Sequence, residues 1–264
     1  MLPPTRLAHD LVLSSGFLAF AAHSGFLAAV EDAGLPVGGV AGTSAGALTG
    51  ALWCAGHSAA ACAAELSAVP PLAHLRPCGT PWAGLMSLDA VIARLRDLLP
   101  PTFEELGREF ACGVVGRDGT HTLISSGPLP EAVAASAAIP ALFAPVVIPG
   151  REAQGPFRDG GVVDRTGLVA WRDRLRAAAA AGSVGSAQPP APPPPALVHL
   201  IGRSSAFSGA DDVEAMGEAR VVLVRSPRSR ASLVSLRDFE FQAASARSRS
   251  RPAMRAALEG RWTF

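Results

Sequence analysis

The stretch Val40-Ala41-Gly42-Thr43-Ser44-Ala45-Gly46-Ala47-Leu48 places one serine between two glycines, where an apolar strand gives way to a helix of small residues. This is the G-x-S-x-G pattern. Small neighbours allow a turn tight enough to expose the Ser44 hydroxyl, and the amides at the start of the helix favour a developing oxyanion. A serine nucleophile also needs a base. Ser44, Asp159 and His199 follow in the order of an α/β-hydrolase triad, but only 43 residues precede the serine, too few for the strands of that fold. His199 also lies inside Leu197-Val198-His199-Leu200-Ile201, an apolar strand pattern that makes it a core histidine. The remaining base is Asp159 of Asp159-Gly160-Gly161. An aspartate of ordinary pKa, about 3.9, needs a partly desolvated site for that work. Taken singly, the elbow is also readable as a strand-to-helix crossover, and Asp159 as a turn residue.

Composition narrows the chemistry. The chain has 264 residues, 49% of them hydrophobic and 17% charged, which is a globular and not a disordered balance. All its basic residues are Arg, and Lys, Asn and Tyr are absent. That removes Schiff-base and P-loop lysines, an Asn orienting a catalytic His, and a Tyr general acid. Cys54, Cys62, Cys78 and Cys112 show no C-x-x-C and no His at ligand spacing. They read as free thiols in a reducing compartment, with no metal site. The apolar run at 11–30 is broken by Ser14-Ser15-Gly16 and reads as a first strand and helix instead of a signal peptide.

The elements that must position these residues are readable in order. Leu11 to Leu13 is a buried strand, followed by a helix from about Ala21 that stops at Gly34. Pro36 to Ala41 is a strand feeding the elbow, and Ala45 to Ala55 is the helix after it. Such β-α-β alternation implies a parallel sheet with right-handed crossovers. Leu88 to Leu99 is an amphipathic helix with Ser87 as N-cap, and Thr102-Phe103-Glu104-Glu105 has capping-box spacing for a short helix. Phe110 to Gly116 and His121 to Ile124 form a hairpin through Asp118-Gly119. Glu131 to Ala138 is a helix, and Ala144 to Ile148, Leu197 to Ile201 and Val221 to Val224 are strands. Residues 177–196 are an Ala, Gly and Pro-rich insertion or loose helix end.

Taken together, Leu11-Val12-Leu13, His23-Ser24-Gly25-Phe26-Leu27, Gly42 to Gly46, Ala135-Ser136-Ala137-Ala138-Ile139-Pro140 and Asp159-Gly160-Gly161 resemble the ordered motifs of the patatin-like phospholipases, over about residues 11–168. The resemblance implies an α/β fold of three layers, with a mainly parallel central sheet flanked by helices. It implies a single domain over 1–264 and a Ser44–Asp159 dyad that hydrolyses acyl esters of lipids with neither metal nor cofactor. Gly42, Gly46, Gly160 and Gly161 would support the elbow and the dyad. The oxyanion amides fall at Ser15, Gly16, Phe17 and Ala45. One departure stands out: where the family has G-G-G-x-[RK]-G, this chain has Ser15-Gly16-Phe17-Leu18-Ala19-Phe20. One glycine of four remains and the cation is gone. Phe17, Leu18 and Phe20 either close the loop or line an acyl channel. The altered loop leaves a second reading, a patatin-fold protein that binds lipid or a protein without turnover.

From Arg220 onward the chain carries 10 Arg against 3 acidic residues, whereas the first 219 residues carry 13 Arg and 19 acids. Arg-Ser repeats without interleaved aromatics make this region a poor nucleic-acid binder. It reads as a solvated, partly disordered tail, or as a peripheral contact for anionic lipid. The partner implied is a membrane or micellar lipid substrate, and the location cytoplasmic or peripheral to a membrane. Oligomeric state is left open.

Overall fold

The computed structural model describes residues 7–79, 84–183, 191–204 and 208–264. It begins with the expected alternation: β1 (His9–Leu13), α1 (Phe20–Ala33), β2 (Val37–Thr43) and α2 (Ala45–Cys54). The chain continues through α3 (Ala59–Ser67), a short antiparallel ribbon of β3 (Arg76–Pro77) and β4 (Met86–Ser87), and α4 (Asp89–Leu98). Next come β5 (Glu109–Val115), β6 (His121–Ile124), α5 (Leu129–Ser136), β7 (Arg158–Asp159) and α6 (Leu168–Gly182). β8 (Ala196–Ile201), β9 (Val221–Ser226) and α7 (Phe239–Leu258) complete it.

The main sheet runs β6-β5-β2-β1-β8-β9, with β7 also paired to β5. The pairs β1–β2, β1–β8, β2–β5 and β8–β9 are parallel, and β6 and β7 lie antiparallel to β5. Alternate residues of each strand face opposite sides. Leu11, Leu13, Val40, Phe110, Cys112, Leu197 and Val222 join the larger core with α1, α2, α5 and α7. Val12, Ala41, Ala111, Val198 and Val221 join Leu168 and Trp171 of α6 on the other face. Helices on both faces of a mostly parallel sheet make the expected three layers. β1 is central, flanked by strands reached through crossovers on either side, so a crevice opens at the carboxyl ends of β1 and β2.

Local structure departs from or divides the sequence expectations in four places. Ala144 to Ile148 is not a strand: Pro145 and Pro149 lack amide donors, and among the described residues the segment makes one isolated bridge, Val146 to Phe157, besides the bond from the Ala144 amide to the Met86 carbonyl. Ser87 is not the N-cap of α4. Leu88 holds that position, and Ser87 Oγ accepts from the Asp89 amide at 3.0 Å. The stretch 177–196 divides: the helix-end reading holds through Gly182, where α6 runs on a Leu168, Trp171, Leu175 stripe, and residues 184–190 lie outside the described part. The Arg-rich region is not a disordered tail. Ala246, Ser250, Met254 and Ala257 recur at helical spacing, are buried, and seat α7 against α1. The approach is so close that a Cβ on Gly25 would stand 2.0 Å from the Ala243 carbonyl oxygen. Arg247, Arg249, Arg251 and Arg255 remain on the exposed face, where Arg247 pairs with Asp32 of α1. Among the described residues, no helix is long and apolar enough to cross a membrane.

Candidate active site

Ser44 is the hinge between β2 and α2. Its φ of 56° and ψ of −119° are sparsely populated for a residue with a side chain. Surrounding contacts force this geometry. A Cβ on Gly42 would lie 2.6 Å from the Gly46 carbonyl oxygen, and one on Gly46 would lie 2.2 Å from the Leu13 carbonyl oxygen. α2 therefore lies directly on the end of β1, and the strained turn cannot relax. The Ser44 amide donates to Ser136 Oγ at 2.9 Å, and that hydroxyl donates to the Gly113 carbonyl at 2.6 Å.

Asp159 reaches the serine through strand register. β6 pairs along one edge of β5, so β7 takes the edge that β2 vacates at the elbow. Thr43 stands opposite Gly113, and Asp159 opposite the next residue, Val114. The two glycines after Asp159 permit this docking: a Cβ on Gly160 would meet the Gly113 backbone at 2.5 Å, and one on Gly161 the Ser15 side chain at 2.5 Å. The Asp159 amide donates to the Ala138 carbonyl at 3.0 Å, and the Gly161 amide donates to Asp159 Oδ1 at 2.7 Å. Burial pushes the Asp159 carboxyl up to about 6, against the lowering pull of the Ser44 hydroxyl, the Gly161 amide and the Arg165 charge. Ser44 and Asp159 face the same cavity.

The loop after β1 faces the elbow. Ser15, Gly16, Phe17, Ser44, Asp159, Gly161 and Arg165 line one cavity of about 630 Å³. Among the described residues the Gly16 and Phe17 amides have no acceptor, and Ala45, first residue of α2, is one of the helix amides without an intrahelical partner. Gly16 and Phe17 line this cavity together with Ser44, and Ala45 follows Ser44 directly in the chain. On the other side of Phe17 a second cavity, about 150 Å³ and mostly apolar, is lined by Phe17, Leu18, Phe20, Leu48, Leu52 and Phe143, and it too reaches Ser44. Of the two roles open to Phe17, Leu18 and Phe20, they take the wall of the apolar chamber.

His199 is fully buried between His23 and Ser226, with Nδ1 3.0 Å from His23 Nδ1 and Nε2 2.9 Å from Ser226 Oγ. Burial depresses it well below the usual histidine range, and His23 to about 4. Both are neutral core groups, and His23 Nε2 pairs with the Ser14 carbonyl at 2.9 Å. Sequence reasoning assigned no role to three residues that brace the site. Ser136 was visible inside the Ala-Ser-x-Ala-Ile-Pro motif. Ser14 and Arg165 carried no signal, since their partners lie up to 187 residues away in sequence.

An α/β sheet with a strained serine elbow after its second strand, and an Asp-Gly-Gly docked beside it, defines the class of fold and site. The family model described as patatin-like phospholipase matches residues 11–170, and the chain belongs to that family. It is 32% identical over 160 residues to an uncharacterised NTE family protein of Mycobacterium bovis, a match covering 58% of this chain and 42% of that protein. It is 57% identical over 44 residues to the neuropathy target esterase sws of Drosophila melanogaster, covering 17% of this chain and 3% of that one. The chain thus spans less than half the length of the curated relatives it matches. Among solved structures it is similar to VipD of Legionella pneumophila, with a TM-score of 0.52 and 14% identity, over 96% of this chain and 67% of that one.

Proposed function

We propose that this protein is a serine-dependent lipid acyl hydrolase, of phospholipase A or lipid esterase type, working through Ser44 and Asp159. The observation that carries the reading is the joining of a strained serine, a desolvated carboxylate and free amides in one cavity that continues into an apolar chamber. In the proposed reaction, Asp159 takes the Ser44 proton as Oγ attacks the ester carbonyl. The oxyanion is held by the amides of Gly16, Phe17 and Ala45. The protonated Asp159 then gives its proton to the departing alcohol, leaving an acyl-serine. Asp159 next activates water to release the fatty acid. A carboxyl near pH 6 suits this work better than an ordinary aspartate, because its conjugate base is stronger and still present at neutral pH. The apolar chamber takes the acyl chain, and the wider cavity takes the alcohol side of the ester.

The test is a fluorophosphonate probe with wild type and Ser44→Ala, beside hydrolysis of short-chain and phospholipid esters. Labelling and turnover that vanish together in the variant support the reading. A well-folded wild type that neither labels nor hydrolyses would refute it and leave a lipid or protein binder without turnover. The exposed arginines of α7 support peripheral contact with anionic lipid, at about 1 kcal/mol per basic residue near the surface. Co-sedimentation with vesicles that ignores anionic lipid content would rule that contact out.

A further inference from the structure

The loop after β1 keeps one of the four glycines of its family pattern and lacks the cation, yet among the described residues its Gly16 and Phe17 amides have no acceptor. Something else must hold it. The guanidinium of Arg165, which is 1% exposed, is spread across this loop. Nε donates to Ser15 Oγ at 3.2 Å, Nη2 donates to the Ser15 carbonyl at 2.8 Å and to the Ile201 carbonyl at 2.7 Å, and Nη1 pairs with Asp211. The Arg165 carbonyl in turn accepts from the Ser15 amide at 2.7 Å. Both backbone polar groups of Ser15 are therefore gripped by one residue 150 positions away.

We propose that Arg165 is the positioning residue of the oxyanion loop, a role that rests on Ser44 being the nucleophile. The reason lies in the planarity of the peptide group: the Ser15 carbonyl and the Gly16 amide belong to one trans unit and point in opposite directions. The Ser15 carbonyl accepts from Arg165 Nη2 and, at 3.1 Å, from Ser14 Oγ. Both lone-pair directions of that oxygen are occupied, so the plane cannot rotate, and the Gly16 N–H is aimed away from Arg165. A glycine-rich loop obtains this orientation from backbone freedom. Here a five-donor planar fork imposes it. Asp211 neutralises the buried cation and is itself held by Arg203, which fixes the far end of the fork. The same charge acts on Asp159 through space, whereas the Ser44 hydroxyl and the Gly161 amide beside that carboxyl are neutral.

The experiment compares wild type, Ser44→Ala, Arg165→Lys and Arg165→Gln. Amide hydrogen exchange over residues 14–19 reads loop order without any substrate. kcat and KM on a p-nitrophenyl butyrate substrate read catalysis, and a pH profile reads the charge. Arg165→Gln is expected to speed exchange in residues 14–19 but not in the buried β5. It should lower kcat about a hundredfold, the cost of one oxyanion donor, with KM within about threefold, and move the acidic limb of the pH profile upward. Arg165→Lys keeps the charge and loses the fork, so it should restore the limb but only part of kcat. Unchanged exchange and kcat in Arg165→Gln would overturn the proposal. If that variant fails to fold because Asp211 is left as an unpaired charge, Arg165→Gln with Asp211→Asn removes both charges and is held to the same exchange and kcat outcomes. Should wild type prove inert towards both probe and ester, the nucleophile reading fails, while the exchange comparison still decides whether Arg165 orders the loop.

Discussion

At the end of β2 the chain turns because backbone presses on backbone: Gly46 against the Leu13 carbonyl, Gly42 against Gly46, Gly160 against Gly113. At the end of β1, directly opposite, the loop is held by side-chain hydrogen bonds: Arg165 on the Ser15 carbonyl, His23 on the Ser14 carbonyl, and the loop's own Ser14 hydroxyl on the Ile201 amide. The first arrangement admits no residue but glycine, whereas the second only needs suitable donors and acceptors in place. A loop held in this way does not depend on glycine, provided its polar groups find partners. A backbone-packed elbow has no such freedom.

That contrast can be broken or sharpened by substitution. The largest effect is expected from Asp159→Asn, which removes the base while keeping an acceptor for the Gly161 amide. kcat should fall by about 10⁴-fold or more. Stability should move the other way. Ionised Asp159 is a burden on the folded state above its raised pKa of about 6 and no burden below the unfolded value of 3.8. The variant should thus be more stable by on the order of 2–3 kcal/mol at pH 8, with the advantage fading as pH falls from 6 to 4. Urea titrations at pH 8 and pH 4.5 check this, and the wild-type rate should fall through pH 6 on acidification. Next comes Gly46→Ala, which drives a methyl into the Leu13 carbonyl. A loss of about 3 kcal/mol is expected, and a variant that melts like wild type would deny that the elbow is backbone-packed. Ser136→Ala leaves the Ser44 amide and Gly113 carbonyl without their partner. It should cost about 1–3 kcal/mol and lower kcat more than it raises KM. The smallest effect belongs to Ser15→Gly, which discards one of the three Arg165 bonds to this residue but keeps its carbonyl. A change under about 1 kcal/mol and a few-fold in kcat is expected; a collapse of activity would show the side chain, not the carbonyl, to be the anchor.

What could be read in advance follows the same division. The β-α-β opening, the elbow, the core status of His199 and the α/β class are written in local patterns, because small-residue turns and apolar periodicity record the packing they serve. The hairpin at Asp118-Gly119 was equally local, and Gly119 does adopt a φ of 79°. The strand expected at Ala144 failed because its prolines outweigh its apolar residues. α7 was hidden because its docking stripe, Met254 apart, is made of Ala and Ser, which carry little hydrophobic signal, beneath a conspicuous row of arginines.

By itself, then, the sequence determined where a serine elbow and an Asp-Gly-Gly turn must form, since glycines at fixed offsets are the local imprint of close backbone contact. Only the tertiary structure decided that β7 takes the edge of β5 left free by β2, which sets Asp159 beside Ser44. It alone decided that Arg165 holds Ser15. Both depend on strand pairing and on side chains meeting across more than a hundred residues, and no local pattern of amino acids encodes such a meeting.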